Sequence, residues 1–347
     1  SACLVGSEMC IRDRVSDGQT TESTEEAQEE KDPLIPEIDT SVELQAGSRV
    51  AVVSKSTSGE FWGLVKKGME QAIADVNEAY GFKKEDQVTM TFEGASDEKD
   101  VESQVNTIDA VIAENPDVLC VSASDMDSLQ AQLEAAKENG IPVVAFDSGV
   151  TDSKMVRAFR GTDNTRVGEI AAYRLATAIG KMGKVAVFSA QEKTQSIQER
   201  VSGFTNYITN YPDIEVVEIV YQDQVDDMTA AMQEVLDKYP QLDGVFCNNA
   251  DIADLYLDMK KDETKDSIVM VGVDATAKQQ EAIRNSKEVG VVSQQPYAMG
   301  YQTIWTALLT TAPKKSVEIK RNVRIDPAWI DSSNIDDPTY SSYLYAN

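Results

Sequence analysis

The chain of 347 residues contains no histidine. This absence excludes a Ser-His-Asp or Cys-His catalytic arrangement, a histidine-ligated zinc ion and a histidine general base. Cysteine is scarce as well, since Cys3, Cys10, Cys120 and Cys247 form no CxxC pair. A structural zinc or a thioredoxin-like site is therefore not expected. Cys120 and Cys247 each lie in a short apolar run, and this setting predicts buried free thiols.

Basic residues are few: 32 Lys and Arg stand against 59 Asp and Glu, and the net charge is −27. Nucleic acid is not an expected partner, because binding to phosphates requires clustered Lys and Arg. Anionic membrane surfaces are disfavoured for the same reason. No apolar run is long enough for a transmembrane helix.

Phosphate, metal and cofactor sites are likewise not expected. The chain has neither GxGxxG nor GxxxxGK[ST], the glycine-rich patterns that bind phosphates. The segment DVNEAYGFKKED resembles a calcium loop superficially, but Ala79 and Tyr80 occupy the positions that need a ligand and a glycine. We therefore predict no metal ion and no cofactor.

Residues 1–47 differ from the rest in being acidic, rich in Ser, Thr and Glu, and poor in large apolar groups. Such a composition predicts a disordered, extended tether. The start, Ser1-Ala2-Cys3, resembles the end of a bacterial lipoprotein signal, which predicts a lipid anchor at Cys3. Alternatively, Val5–Arg14 resembles translated sequencing-adaptor sequence, in which case part of this tether is an artefact and Cys3 has no such role.

From Arg49 onward, short apolar runs alternate with segments of helical periodicity. Val50–Val53 reads as a buried strand, and apolar residues at helical spacing follow it until Gly81. This alternation predicts a parallel α/β sheet covered on both faces. The cycle restarts after a short strand predicted at Met155–Phe159, so we predict two similar doubly wound lobes. One large sheet is the alternative.

Polar side chains follow several of the predicted strands, at the edge where a parallel sheet binds ligands. They are Ser54, Ser122, Asp147, Asn249, Asp274 and Gln294. These uncharged or acidic groups suit a neutral, hydroxyl-rich solute, because a carboxylate can accept hydrogen bonds from two adjacent hydroxyls. Phe61 and Trp62, which follow the polar loop after the first strand, offer flat faces to the C–H face of a sugar.

The ordered set of motifs resembles the type I periplasmic sugar-binding proteins, the ribose-binding-like family that serves ABC importers. The resemblance extends from about Arg49 to Val323. The motifs, in chain order, are VVSKSTSGEFWGLVKKGM, VSASDMDSL, IPVVAFDSGV, RGTDN, QERVSGF, GVFCNNADIADL, VGVDATAKQQEAI and VVSQQP.

This resemblance implies two Rossmann-like lobes joined by a three-segment hinge, with the ligand in the cleft between them. It implies crossings near Thr162, Gln294 and Val323. The N-terminal lobe would then comprise residues 48–162 and 295–322, and the C-terminal lobe residues 163–294 and 323–347.

The resemblance also implies a role for individual residues. The aromatic pair Phe61 and Trp62 would stack on the sugar, and Asp147 would accept a hydroxyl in the first lobe. Second-lobe and hinge residues would bind ring or hydroxyl oxygens; they are Arg200, Asn249, Asp274 and Gln294.

Two departures from the family pattern alter the site. Ribose binders commonly have Asp-Arg where this chain has Asp147-Ser148, and an aromatic residue is missing around Asp223, where Tyr221 is the available substitute. Losing one arginine and one ring changes both charge and stacking. A small sugar or polyol is therefore expected, rather than ribose in particular.

The predicted function is that of an extracytoplasmic solute receptor, periplasmic or lipid-anchored, acting as a monomer with ABC importer transmembrane subunits. An alternative is a sensory protein that presents a sugar or a furanose-like autoinducer to a chemoreceptor or sensor kinase. A LacI-type regulator would need a basic helix-turn-helix ahead of this core, where the chain is acidic. An enzyme using Asp147 and Asp274 as paired carboxylates is the third alternative, and we predict no enzymatic activity.

Overall fold

The computed structural model describes residues 32–260, 267–313 and 317–345. The strands are β1 Arg49–Ser56, β2 Thr89–Ala95, β3 Val118–Val121, β4 Val143–Phe146, β5 Ala158–Thr162, β6 Gly183–Ser189, β7 Ile214–Tyr221, β8 Gly244–Cys247, β9 Val269–Val273, β10 Gly290–Ser293, β11 Asn322–Ile325 and β12 Ala328–Asp331. The helices are α1 Gly59–Tyr80, α2 Val101–Ala113, α3 Gln130–Glu138, α4 Asn164–Ala178, α5 Gln195–Ile208, α6 Met228–Lys238, α7 Ala250–Met259, α8 Ala277–Arg284 and α9 Pro296–Thr311. Short 3₁₀ helices lie at Lys84–Asp86, Ser153–Met155, Gln222–Gln224 and Pro338–Tyr343.

The strands form two six-stranded sheets, which confirms the prediction of two α/β lobes. The first sheet has the order β11-β5-β4-β3-β1-β2, and all its strand pairs are parallel. The second has the order β12-β10-β9-β8-β6-β7, and β12 alone runs antiparallel to its neighbour. Each sheet therefore gathers the carboxyl ends of its parallel strands at one edge.

Helix α1 shows how the apolar spacing determines the packing of the first lobe. Its buried residues recur at intervals of three and four and face the sheet: Trp62, Val65, Met69, Ala72 and Val76. The helix ends at Gly81, which has the left-handed φ of 66° that a residue without a Cβ adopts most readily. The predicted face and the predicted end of this helix are both confirmed.

Two helix pairs approach so closely that glycine is required at the contact. A Cβ at Gly68 would lie 2.0 Å from the Tyr297 carbonyl oxygen, where α1 crosses α9. The second lobe repeats this arrangement, because a Cβ at Gly168 would lie 2.1 Å from the Arg200 carbonyl oxygen, where α4 crosses α5. The second contact fixes the backbone that carries Arg200, a predicted site residue.

Residues 1–47 were predicted to be disordered, but the last part of this segment packs against the first lobe. Val42 and Leu44 are buried in the apolar cluster that α1 and α9 form on the first sheet. The Tyr80 hydroxyl donates to the carbonyl oxygens of Asp39 and Val42 at 2.9 and 2.7 Å. A few apolar residues thus fix this segment although its composition is acidic. Residues 1–31, with Cys3 and Cys10, lie outside the described residues.

Two further boundaries differ from the expectation. Val323 pairs with Arg160 in the first sheet, so this strand stays in the first lobe through Ile325 and the crossing follows it. The strand expected at Met155–Phe159 begins at Ala158, because Ser153–Met155 forms a 3₁₀ helix capped by the Asp152 side chain.

Candidate functional site

A cleft of about 610 Å³ lies between the two lobes, at the carboxyl ends of their parallel strands. Its walls come from the loop after β1 and the start of α1, the loop after β2, and the ends of β4, β9 and β10. The N-terminal turns of α5 and α7 complete it. Its volume is in the range of small-molecule sites.

Asp147 lies at the end of β4 and is 3% exposed. Its Oδ2 atom accepts a hydrogen bond from the Ser122 hydroxyl at 3.0 Å and forms an ion pair with Lys55 Nζ at 2.8 Å. Lys55 Nζ also donates to the Ser148 hydroxyl at 3.2 Å. The cation missing at position 148 is thus supplied by β1, and the Asp147 Oδ1 atom has no hydrogen-bond partner among the described residues.

The predicted aromatic pair lies in the same wall. The rings of Phe61 and Trp62 are perpendicular, with an interplanar angle of 89° and centroids 5.0 Å apart. Because the rings are perpendicular, they cannot both stack face to face on one flat group. Trp62 Nε1 donates to Glu98 Oε1 at 2.6 Å, and this bond fixes the indole, which is 3% exposed.

Arg200 provides the cation of the opposite wall and is 3% exposed. Its Nε donates to Asn164 Oδ1 and its Nη1 to the Asn248 carbonyl oxygen, each at 2.8 Å. Nη2 has no hydrogen-bond partner in the part of the chain that the structure describes. Asn249 caps α7 by accepting from the Ile252 amide at 3.0 Å, and so leaves its side-chain amide nitrogen for another acceptor.

Asp274, at the end of β9, is held by three donors. Its Oδ1 accepts from Gln294 Nε2 at 2.7 Å and from the Tyr345 hydroxyl at 2.9 Å, and its Oδ2 accepts from the Ala250 amide at 2.9 Å. Gln294 Oε1 accepts in turn from the Thr162 hydroxyl at 2.7 Å. This network connects Thr162 and Gln294, which lie at the first and second crossings between the lobes, to Asp274 in the cleft.

Asp147 and Asp274 occupy equivalent strand ends of the two lobes and share an unusual backbone. Their φ angles are 56° and 81°, in the left-handed region that non-glycine residues rarely adopt. Such local strain persists where surrounding contacts impose it and is concentrated at functional sites. This conformation holds both carboxylates in the cleft.

Acidic side chains dominate the mouth of the cleft. Burial raises the pKa of Glu98, an effect that Lys55 opposes and Asp251 reinforces. Burial within the cleft and the neighbouring Asp274 and Asp254 raise the pKa of Asp251. Burial also raises the pKa of Asp254, with the hydrogen bond from Thr276 and the charge of Lys278 opposing it. Asp251 has no ion-pair or hydrogen-bond partner among the described residues.

The lobes touch on both flanks of the cleft, and the two flanks are unequal. On one flank the loops after β3 and β4 meet the loop after β6. Its hydrogen bonds are Thr194 Oγ1 to Ser124 O at 2.5 Å, Met126 N to Lys193 O at 3.0 Å, Ser148 Oγ to Ser196 Oγ at 2.8 Å, and Gly149 N to Gln195 Oε1 at 2.6 Å. On the other, Glu60 Oε2 accepts from the Ala277 amide, at the N-terminus of α8, at 3.0 Å.

Seven of the eight predicted site residues line this one cleft: Phe61, Trp62, Asp147, Arg200, Asn249, Asp274 and Gln294. Ser122 does not line it and instead hydrogen-bonds Asp147 from behind. Tyr221 does not line the cleft either, although its neighbour Gln222 does. The missing ring is therefore not replaced by Tyr221.

Among the residues that sequence reasoning missed are Lys55 and Glu98, which line the cleft, and Tyr345, which bonds Asp274 from outside the lining. The sequence pattern placed the end of β1 at Val53 and singled out Ser54 as the residue that follows it. The strand in fact continues to Ser56 and includes Lys55. Glu98 and Tyr345 come from a loop and from the C-terminal tail, where no periodicity marks them. A signal existed only for Lys55, as a lone cation directly after a buried run.

Three searches of the described residues bear on other functions. No helix among them is long and apolar enough to span a membrane. They contain no group of three or more Cys, Asp or Glu side chains arranged for a metal ion. Cys120 and Cys247 are buried and free, as predicted, and burial raises the pKa of both thiols.

Two α/β lobes that enclose a polar cleft with an aromatic wall define a solute-binding protein of the two-lobed type. The chain belongs to the family described as periplasmic binding protein domain, which matches residues 50–312. The resemblance to type I periplasmic sugar-binding proteins is thereby confirmed.

Individual relatives agree with this assignment. The chain is 27% identical over 203 residues to the ribose import binding protein RbsB of Bacillus subtilis, an alignment that covers 58% of this chain and 66% of that protein. Among solved structures, an ABC transporter solute-binding protein from Agrobacterium vitis with bound D-fucose is 28% identical with a TM-score of 0.78. A second protein from that organism, with bound α-D-tagatopyranose, is 26% identical with a TM-score of 0.78. Each structural match covers 86% of this chain and 100% of the other.

Proposed function

We propose that this protein is an extracytoplasmic solute receptor that binds a small sugar or polyol between its lobes and delivers it to an ABC importer. The observation that carries the proposal is the cleft itself. It joins an aromatic wall to buried hydrogen-bonding groups from both lobes, and several of their atoms have no partner among the described residues.

In the proposed binding mode, one face of the sugar lies against Phe61 or Trp62. The Asp147 Oδ1 atom accepts from hydroxyls on the first-lobe side, and the free Nη2 of Arg200 donates to a ring or hydroxyl oxygen. Asn249, Asp274 and Gln294 complete the polar shell on the second-lobe side. Ser122 positions Asp147 rather than touching the ligand. Each bond is strengthened because the closed cleft excludes water.

The lobes are proposed to close as rigid bodies about three crossing segments, at Thr162–Asp163, at Gln294–Gln295 and after Ile325. Closure brings hydrogen-bonding groups of both walls to one ligand, and hinge motion of this kind is a standard switching mode. The closed form would be the one that the importer's transmembrane subunits recognise, and no chemical reaction is assigned to the site.

The relatives support a sugar and an importer. The Bacillus subtilis protein is named for ribose import, and the two Agrobacterium vitis structures carry D-fucose and α-D-tagatopyranose. The periplasmic family supports an extracytoplasmic location, and a lipid anchor at Cys3 stays a proposal of the sequence alone.

The test is a titration calorimetry and thermal-shift panel of D-ribose, D-allose, D-fucose, D-tagatose, D-arabinose and xylitol. A ligand at one hundred times its Kd stabilises the protein by about 2.7 kcal/mol, a shift that thermal unfolding resolves easily. We expect at least one member to bind. If no sugar or polyol binds or shifts the melting temperature, the proposal fails.

Two substitutions, Trp62→Ala and Trp329→Phe, test whether the sugar binds in the cleft. Trp62 lines the cleft, whereas Trp329 packs in the core of the second lobe. The first variant should abolish sugar binding while it still unfolds cooperatively, and the second should keep the parent affinity. Unchanged affinity in the Trp62 variant would move the site elsewhere.

A further inference from the structure

The C-terminal tail, residues 332–345, folds back onto the second lobe after β12. Its aromatic and aliphatic side chains Tyr340, Tyr343 and Leu344 pack on an apolar cluster of that lobe, which includes Ile330 of β12. This packing fixes the tail on the second sheet and directs Tyr345, the next residue, toward the cleft.

Two hydrogen bonds attach the end of the tail to the strand ends that border the cleft. The Ser293 hydroxyl, at the end of β10, donates to the Tyr343 carbonyl oxygen at 2.5 Å. The Tyr345 amide donates to the carbonyl oxygen of Ala275, just beyond β9, at 3.1 Å. Tyr345 is 4% exposed and lies behind the cleft lining. The tail is therefore part of the support of the site.

Tyr345 contacts one residue of each cleft wall. Its hydroxyl donates to Asp274 Oδ1 in the second lobe at 2.9 Å. Its ring centroid lies 6.1 Å from that of Phe61 in the first lobe, with an interplanar angle of 51°. Aromatic pairs attract each other at such separations. A single side chain thus touches both an aromatic ring and a carboxylate that are proposed to hold the ligand.

The bond from Tyr345 to Asp274 is of the stronger kind, because its acceptor is a carboxylate. Burial and the neighbouring Asp274 raise the pKa of the Tyr345 hydroxyl well above its ordinary value, so the hydroxyl stays protonated and keeps donating at neutral pH. Asp274 also has a left-handed φ of 81°, a conformation that surrounding contacts must impose. Tyr345 is one of these contacts.

We propose that Tyr345 is a positioning residue that retains the bound ligand, since it holds the Asp274 carboxylate in place and packs against Phe61 when the lobes are closed. The inference rests on the proposed receptor function and adds the C-terminal tail to the binding apparatus. The Phe61 contact joins the two lobes, so it forms on closure and must break before the ligand leaves. Its loss should therefore change dissociation more than association.

The test compares two substitutions of Tyr345 with the same substitutions of Tyr343. Tyr345→Phe removes the hydroxyl and keeps the ring, whereas Tyr345→Leu removes both. Tyr343→Phe and Tyr343→Leu make identical changes where the side chain packs on the apolar cluster, and leucine keeps an apolar group there. Stopped-flow tryptophan fluorescence measures association and dissociation rate constants with each compound of the calorimetry panel that binds the parent.

We expect Tyr345→Phe to release its ligand about three to ten times faster than the parent, because a hydrogen bond to a charged group is lost. Tyr345→Leu should release it at least ~10 times faster, while both association rate constants stay within about twofold of the parent value. Both Tyr343 variants should release it at the parent rate. A tail that only stabilises the fold would lower the melting temperature of the Tyr345 variants and leave the release rate of the folded protein unchanged.

The outcomes separate this inference from the receptor function. If both Tyr345 variants release ligand at the parent rate, or if the Tyr343 variants accelerate release equally, the positioning role is refuted and the receptor function stands. If no compound of the panel binds the parent, both fail. Should Tyr345→Leu not fold, the comparison of Tyr345→Phe with Tyr343→Phe decides, since each removes one hydroxyl alone.

Discussion

Gln294 links Asp274 to Thr162, since its Nε2 donates to the carboxylate at 2.7 Å while its Oε1 accepts from the hydroxyl at 2.7 Å. One side chain at the second crossing thus connects the first crossing to the floor of the cleft. The position of the lobes and the geometry of the site therefore share a hydrogen-bond network.

Gln294→Ala removes both bonds and leaves buried polar groups unpaired. We expect the free energy of unfolding to fall by about 1–3 kcal/mol, the usual cost of such groups. Urea unfolding measures it. Gln233→Ala is the control, because Gln233 bonds Asp237 at the surface, and it should change stability by less than ~0.5 kcal/mol. Equal effects of the two substitutions would contradict the network's importance.

Two glycines of α1 should respond oppositely to alanine. A Cβ at Gly68 would meet the Tyr297 carbonyl oxygen at 2.0 Å, so Gly68→Ala forces α1 and α9 apart at a cost of about 1–3 kcal/mol. A Cβ at Gly63 would meet nothing within 4 Å, so Gly63→Ala should stabilise by about 0.5–1 kcal/mol through helix propensity. Thermal unfolding of both variants tests the pair. A Gly68→Ala variant as stable as the parent would show that α1 and α9 can separate without cost at this contact.

Arg200→Lys keeps the positive charge of this side chain but removes its planar guanidinium group, and it should weaken ligand binding. The guanidinium bonds Asn164 and Asn248 with two of its nitrogens, and a lysine ammonium cannot reproduce that geometry. Removing one bond to a charged group costs about 1.5–3 kcal/mol, so ligand affinity should fall about ten- to a hundredfold. Calorimetry with whichever sugar binds measures the loss. Arg166→Lys, on the exposed face of α4, should bind like the parent.

Glu288 makes stability depend on pH. It is 2% exposed, its Oε2 has no hydrogen-bond partner among the described residues, and burial raises its pKa well above the ordinary 4.5. The folded state therefore retains a proton that the unfolded chain releases above about pH 4.5. Stability from this group is complete below that pH and is lost as pH rises toward the folded-state pKa.

Glu288→Gln should remove this dependence. We expect the variant to match the parent near pH 4.5 and to exceed its free energy of unfolding at pH 8, as measured by urea titration at both values. Glu281→Gln, at an exposed position of α8, should leave the parent profile unchanged. A parent whose stability does not fall between these pH values would show that Glu288 is compensated when charged.

Glu60→Gln should speed ligand release. The carboxylate accepts from the Ala277 amide, where a helix N-terminus favours negative charge, and a neutral amide loses about 0.3–1 kcal/mol of that attraction. Dissociation should accelerate by about two- to fivefold in stopped-flow fluorescence. Glu70→Gln, farther along α1, is the matched control. Release that is unchanged in the Glu60 variant would remove this contact from the closing mechanism.

The lobes and the strand-end residues of the cleft could be predicted because they depend on local periodicity, whereas Arg200 was found only through the resemblance to a family. Asp147 and Asp274 were found since they end buried strands, and parallel strands bring such ends together. Lys55, Glu98 and Tyr345 were not found, because their places depend on how a strand end, a loop and the C-terminal tail fold back. The burial of Val42 was missed for a similar reason, since one apolar side chain in an acidic segment shows no pattern.

The unequal flanks of the cleft give the opening movement a direction. Among the described residues, four hydrogen bonds and the Lys193–Asp125 ion pair hold the side where the loops after β3 and β4 meet the loop after β6. On the other side, one hydrogen bond joins Glu60 to Ala277, and the ring of Phe61 contacts that of Tyr345. When the lobes turn about the three proposed crossings, the side with fewer hydrogen bonds is expected to separate first. We then expect a bound ligand to leave beside the N-termini of α1 and α8, where Glu60 meets Ala277.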